Sequence, residues 1–287
     1  MRVTKFSLIY VLNFYSKMNR LSLILFCLFM SLPSAAVITR HDIPAESYLA
    51  GTSDNLGYMV DLPYEGHGAL IHPQWVVTVA HTVFGEYSDE EVSINGINYP
   101  IDKVIIHPGY KKVPQALLEQ VTTNGIMDHL LNNDDVALIK LKAPIGSAHP
   151  ILLSKKGDAE LLPFNFYGRG ATGTGLTGDM NGTKQDRILR KGENYFEKAE
   201  RQWLIYRFDK PENGLPYEAM QGSGDSGAGL VDQESGILLG LVSWQYWQGE
   251  LKAYQSGVYG REAYSVRISY YREWIDEVIK TSVIKNH

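Results

Sequence analysis

The stretch "QGSGDSGAGL", residues 221–230, packs four glycines around one acid and two serines. Such a run demands a tight backbone turn, because glycine alone enters left-handed conformations at no steric cost. Three uses compete for the turn: a phosphate cradle, a flexible linker, or the seat of a nucleophile. Its surroundings narrow the choice. The 287 residues are 44% hydrophobic and 21% charged, a globular composition. Short apolar runs broken by Gly, Pro, Asn and Asp predict strands and turns. Strands are expected at 68–71 ("GALI"), 75–80 ("WVVTVA"), 103–107, 136–141 ("VALIKL"), 164–168, 201–208, 228–231 and 236–244. Many short strands at this spacing indicate an all-β fold of barrels or sandwiches.

Only two stretches read as helical. Residues 115–131 are a weak case, interrupted at Gly125. Near the C-terminus, Tyr271, Trp274, Ile275, Val278 and Ile279 repeat at helical spacing and form one apolar stripe, with Ser269 as a candidate cap. A proline-bearing connection at 142–153 divides the chain into near halves.

The first 36 residues have a separate character. They carry Arg2, Lys5, Lys17 and Arg20 but no acid, followed by the apolar run "LSLILFCLFMSL" (21–32) and "PSAA". A basic start, an apolar core and small residues at the exit make the pattern of a secretory signal. The core is shorter than the ~20 residues a bilayer needs, so no stable membrane anchor is expected once the signal is removed. Met1 and Met18 both stand as starts. Cleavage after Ala36 leaves Val37 as the first mature residue of a protein secreted to a periplasm or beyond the cell. The one cysteine, Cys27, lies inside the signal, so the mature chain has no disulfide although its destination permits them. Without the four signal bases, 23 bases face 32 acids, a net charge of −9. That surface argues against a nucleic-acid partner. A glycosylation sequon at 181–183 matters only in a eukaryotic host.

Rival motifs fail on context. "GRGATG" (168–173) fits a dinucleotide fingerprint and follows an expected strand, but "TGLTGDMNGT" after it has no helical period to present a helix terminus to a pyrophosphate. "GTK" (182–184) has the wrong order for a P-loop. No H-E-x-x-H and no close cluster of histidine with acids supports a metal site, and no cofactor is expected.

Three other positions fit together. His81 follows the apolar strand of "HPQWVVTVAHTVF" (72–84), Asp135 precedes the apolar strand in "NNDDVALIKL" (132–141), and Ser226 centres the glycine turn. Activating a serine needs an imidazole to take its proton and an acid to orient and stabilise that imidazole. A rigid β scaffold can bring three strand ends to one place. Asp134 is the neighbouring choice of acid, but Asp135 directly precedes the strand. The order His, Asp, Ser excludes an α/β-hydrolase, which runs Ser, acid, His; the only histidine after Ser226 is His287. Taken alone, the glycine turn reads more readily as a surface loop than as a catalytic one.

With these residues in register, the sequence resembles the chymotrypsin and trypsin family of serine endopeptidases. "VTVAHT", "DDVALIKL", "GDSGAG" and "VSW" (242–244) resemble its histidine, aspartate, serine and substrate-binding motifs. The likeness runs on through "SGVYG" (256–260) to the terminal helix. It implies two six-stranded antiparallel Greek-key barrels with a C-terminal helix: a signal at 1–36, an N-terminal barrel at 37–148 holding His81 and Asp135, and a C-terminal barrel at 149–287 holding Ser226.

By position, the resemblance makes Ser226 the nucleophile, His81 the base and acid, Asp135 its orienter and Ser243 the support of that acid. The N–H groups of Gly224 and Ser226 become an oxyanion hole. Met220 becomes the floor of the substrate pocket, with Ser243, Trp244, Gln245 and Gly257 along its walls. An uncharged floor, and Gln245 where glycine is usual, imply preference for small or medium uncharged residues; Glu218, two positions from the floor, alters this if its loop, free of the family's disulfides, is displaced. Asp225 matches the acid that pairs with a new α-amino group, here Val37. Partners implied are protein or peptide substrates met by a monomer. Departures are Ala228 and Gly229 after the nucleophile, Thr39 and Arg40 after the new terminus, the missing disulfides and a long connection at 111–131. They keep a second reading open, a binding or regulatory protein with the same barrels and no turnover.

Overall fold

"WVVT" and "ALIKL" are buried at every position, and burial on both faces is what continuous apolar runs satisfy. In a computed structural model they form two adjacent antiparallel strands, with Thr78 opposite Ala137. The structure describes residues 37–52, 54, 56–83, 87, 89–155, 162–180 and 188–284; the expected signal and the sequon lie outside them. In chain order the strands are β1 (Ile38–Thr39), β2 (Met59–Asp61), β3 (His67–His72), β4 (Trp75–Thr78), β5 (Glu91–Ile94), β6 (Ile97–Ile106), β7 (Ala137–Leu141), β8 (Pro163–Gly168), β9 (Gly173–Thr174), β10 (Gly178–Asp179), β11 (Arg190–Tyr195), β12 (Lys198–Glu200), β13 (Trp203–Arg207), β14 (Ala219–Met220), β15 (Gly229–Asp232), β16 (Leu238–Gln245) and β17 (Glu262–Arg267). The helices are α1 (Gln115–Leu118), α2 (Asn124–Leu131) and α3 (Ile268–Ile284).

Strands β2 to β7 close a barrel in the order β2-β3-β4-β7-β6-β5. Closure leaves no free strand edge. The second half is a seven-stranded sheet, β11-β8-β15-β16-β17-β13-β12, curled as a half-barrel. Asn194 on β11 reaches across to the Arg207 carbonyl at the end of β13, 2.9 Å away, which ties the two sides of the curl together. A smaller sheet, β10-β9-β1-β14, inserts the short strand β1 beside Met220. This is the expected all-β architecture of the trypsin type, with its C-terminal helix.

Between the halves, Ala69 and Val77 of the barrel pack with Trp203 and Leu241 of the curled sheet. The helical stripe completes this layer, with Tyr271 and Ile275 buried and Trp274, Val278 and Ile279 half-buried. Helix α3 begins at Ile268, so Ser269 lies inside it and is not its cap; the Ser269 hydroxyl accepts from Arg267 Nε at 3.0 Å instead. The weak helix at 115–131 is in fact two. Its break falls at 119–123, and Gly125 sits in the first turn of α2, where a Cβ would come within 2.9 Å of Leu117.

Candidate active site

The register of β4 on β7 creates the first half of the site. His81 lies three residues beyond Thr78 on a short 3-10 turn (Ala80–Thr82), and Asp135 lies two residues before Ala137, so both emerge at the same rim of the barrel. Asp135 Oδ1 accepts from the His81 backbone N–H at 2.8 Å, and Oδ2 lies 2.7 Å from His81 Nδ1. The Ser243 hydroxyl donates to the same Oδ2 at 2.6 Å. Asp134 takes the other direction and accepts from the Tyr271 hydroxyl at 2.7 Å, fastening α3.

The second half comes from the glycine turn. The Ser226 carbonyl accepts from His67 N–H of β3 at 2.7 Å, and Gly227 N–H donates to the Val242 carbonyl at 2.8 Å. Held against both halves, the turn brings Ser226 Oγ to 2.9 Å from His81 Nε2. Four side chains thus form one line of hydrogen bonds: Ser243, Asp135, His81, Ser226. Gly224 and Gly227 have φ of +93° and +81°, so the turn needs glycine at both positions. Neither Gly224 N–H nor Ser226 N–H meets a protein acceptor among the described residues.

Charge is distributed unevenly along this line. Burial pushes the Asp135 carboxyl toward its neutral form, but the His81 charge and the hydrogen bonds from His81 and Ser243 outweigh burial and hold it below the ordinary aspartate range. Burial alone lowers His81, and Asp135 more than reverses that, so the imidazole sits above the ordinary histidine value.

Behind the turn, Asp225 is fully buried. Its Oδ1 accepts from Gly170 N–H at 2.7 Å; its Oδ2 accepts from Gly222 N–H at 2.9 Å and Val37 N–H at 3.3 Å. Burial raises this carboxyl despite the three donors and the nearby His67. Here the glycines of "GRGATG" find their use. A Cβ at Gly168 would overlap Asp225, and one at Gly170 would come within 2.6 Å of Oδ1. Sequence reading missed this cradle; the signal lay in two glycines spaced one apart at a strand end.

The pocket residues are divided. Gln245, buried, donates through Nε2 to the Gln221 carbonyl at 2.9 Å and accepts through Oε1 from Gly257 N–H at 2.8 Å. Met220 is buried in the core beside Ile38. Trp244 stacks on Tyr264 with ring centroids 4.3 Å apart. The Glu218 carboxylate is taken up by backbone donors: it accepts from the N–H groups of Asp209 at 2.5 Å and Leu215 at 2.7 Å, and burial pushes it up to about 7.

The family model described as Trypsin matches residues 50–275, most of the chain. The chain belongs to the trypsin family. Trypsin-family proteins are serine proteases that act on protein substrates, and many are secreted. The match spans both halves of the structure and every member of the hydrogen-bonded line. Among the described residues no helix is long and apolar enough to cross a membrane.

Proposed function

We propose that this trypsin-family chain is a secreted serine endopeptidase that cleaves peptide bonds through Ser226, His81 and Asp135. The unbroken line from Ser243 to Ser226 Oγ carries the reading. His81 Nε2 takes the Ser226 proton as Oγ attacks the carbonyl carbon, and Asp135 holds the imidazole and stabilises its charged form. The oxyanion that develops accepts from Gly224 and Ser226 N–H, each worth about 2.7–4 kcal/mol in such sites. His81 returns the proton to the departing amine, leaving an acyl-enzyme on Ser226 that water hydrolyses by the same groups in reverse. The roles need no cofactor or metal.

Residues 1–36 act as the signal, and the mature chain divides into an N-terminal barrel at 37–148 and a C-terminal barrel at 149–287, working as a monomer. Cleavage after Ala36 turns the Val37 N–H into an ammonium. Val37 N is already 3.3 Å from Asp225 Oδ2, and Ile38 is already paired with Met220, which favours signal removal as the only activating cut. A buried carboxylate raised by burial gains a counter-charge; removing one member of such a pair costs about 3–5 kcal/mol.

Gln245 spans the pocket from the Gln221 carbonyl to Gly257 N–H, and Met220 supplies no charge. Small uncharged residues are therefore favoured before the scissile bond. Hydrolysis of a peptide panel varied at that residue tests this reading. Ala, Ser and Val should exceed Arg and Phe, and Gln245→Gly should admit larger side chains. Fast cleavage after Arg contradicts the specificity, and absence of hydrolysis across the panel by correctly processed protein contradicts the activity.

A further inference from the structure

The long connection at 111–131 has a definite place. Strand β16 is flanked by β15 only as far as Val242, whose N–H donates to the Ala228 carbonyl at 2.9 Å and whose carbonyl accepts from Gly227 N–H at 2.8 Å. From Ser243 to Gln245 the strand keeps β17 on one side and, among the described residues, has no strand on the other. This open edge starts beside the Ser226 turn.

Its far end is closed. Backbone groups of successive strand residues point to opposite edges. Tyr246 N–H donates to the Glu262 carbonyl on the β17 side at 2.9 Å, so Gln245 and Trp247 direct their N–H and C=O toward the open edge. At Trp247 both groups are taken: its N–H donates to Met127 Sδ at 3.4 Å, and its carbonyl accepts from the Thr123 hydroxyl at 2.7 Å. The pairing continues outward, with Thr123 N–H donating to the Gly249 carbonyl at 3.0 Å and Leu251 N–H to the Val121 carbonyl at 2.9 Å. The other end of α2 is also fixed, since the Leu131 carbonyl accepts from Gln202 Nε2 at 3.0 Å and Trp203 Nε1 at 2.9 Å. A segment bound at both ends behaves as a wall.

We propose that residues 119–132 end the amino-terminal side of the cleft, so that the enzyme reads three residues before the scissile bond and gains nothing from a fifth. The proposal rests on the peptidase reading above. An extended peptide delivering its carbonyl to Ser226 adds to the open edge as an antiparallel strand. Its first residue then lies opposite Ser243, and its third opposite Gln245, taking that residue's N–H and C=O. Its fifth meets Trp247, whose groups Thr123 and Met127 already hold. Substrates are therefore chains that present three extended residues and then end or turn away: short amino-terminal segments or exposed loops.

The test is a series of N-acetylated fluorogenic peptides with one to six residues before the same cleaved bond. A residue bound through two strand hydrogen bonds should raise kcat/KM about tenfold. That rise is expected on reaching three residues, with values at four to six within about twofold of it. In Thr123→Gly, a gain at the fifth residue should appear. A second rise of about tenfold at the fifth residue in the unmodified protein overturns the wall while leaving the peptidase reading intact. No hydrolysis at any length overturns both.

Discussion

Asp135 is nearly sealed from water, yet its neighbours keep it ionised, and that balance sets the working range of His81. In the proposed mechanism the imidazole must be neutral to take the Ser226 proton. Asp135 holds its pKa above the ordinary histidine value of about 6.5. Falling pH therefore charges His81 early, and kcat/KM should drop through a midpoint above about 6.5. A pH–rate profile checks this; a midpoint well below the ordinary value contradicts it. Ser243 acts one step back, as a donor to Asp135 Oδ2 at 2.6 Å. Hydrogen bonds to a charged group contribute about 1.5–3 kcal/mol, so Ser243→Ala should lower kcat/KM by about 10- to 100-fold, chiefly in kcat. His81 and Asp135 were legible in sequence because each stands at a strand end next to an apolar run, whereas Ser243 lies within β16 and was suggested only by the family resemblance. Asp134 and Asp135 were harder to separate, and what distinguishes them is the Tyr271 hydroxyl bonded to Asp134, a long-range partner no local pattern announces.

Among the elements, the uniformly buried strands β4 and β7, and β16, buried except at Trp244, were legible because continuous apolar runs have few other solutions. Strands β2, β5, β11, β12 and β17 escaped notice, as did the two-residue strands β1, β9, β10 and β14. In β11, "RKGENY", the inward positions are Arg190, Gly192 and Asn194, so the alternation exists in burial but not in hydrophobicity. Asn194 compensates by donating to two backbone carbonyls, those of Arg207 and Ala219. The Asp225 cradle was hidden for a similar reason: it joins the end of β8 to a turn far along the chain. Because a Cβ at Gly168 would overlap the Asp225 carboxylate, Gly168→Ala should displace the turn and its N–H donors. Loss of one such donor costs about 100- to 1,000-fold in kcat, and a change of that order is expected with the circular dichroism spectrum retained. Near-normal turnover in Gly168→Ala would show that the turn is held by other contacts.

For the molecule as a whole, stability rests on three buried clusters, one in each half and one between them. With Cys27 the only cysteine, no disulfide can form within the chain. The melting temperature should be the same with and without reductant, by calorimetry; a fall on reduction contradicts packing as the sole support. The all-β class and the terminal helix could be read from sequence. The wall at 119–132 could not, since its partners at 247–251 and 202–203 become neighbours only in the folded chain. The proposed function requires that this assembly raise one serine to a nucleophile. Intact-mass measurement after exposure to a peptidyl phosphonate reports on it directly. The correctly processed protein should gain one adduct, mapped to Ser226, and Ser226→Ala should gain none. An unlabelled protein, or equal labelling of Ser226→Ala, would contradict a nucleophilic role for Ser226.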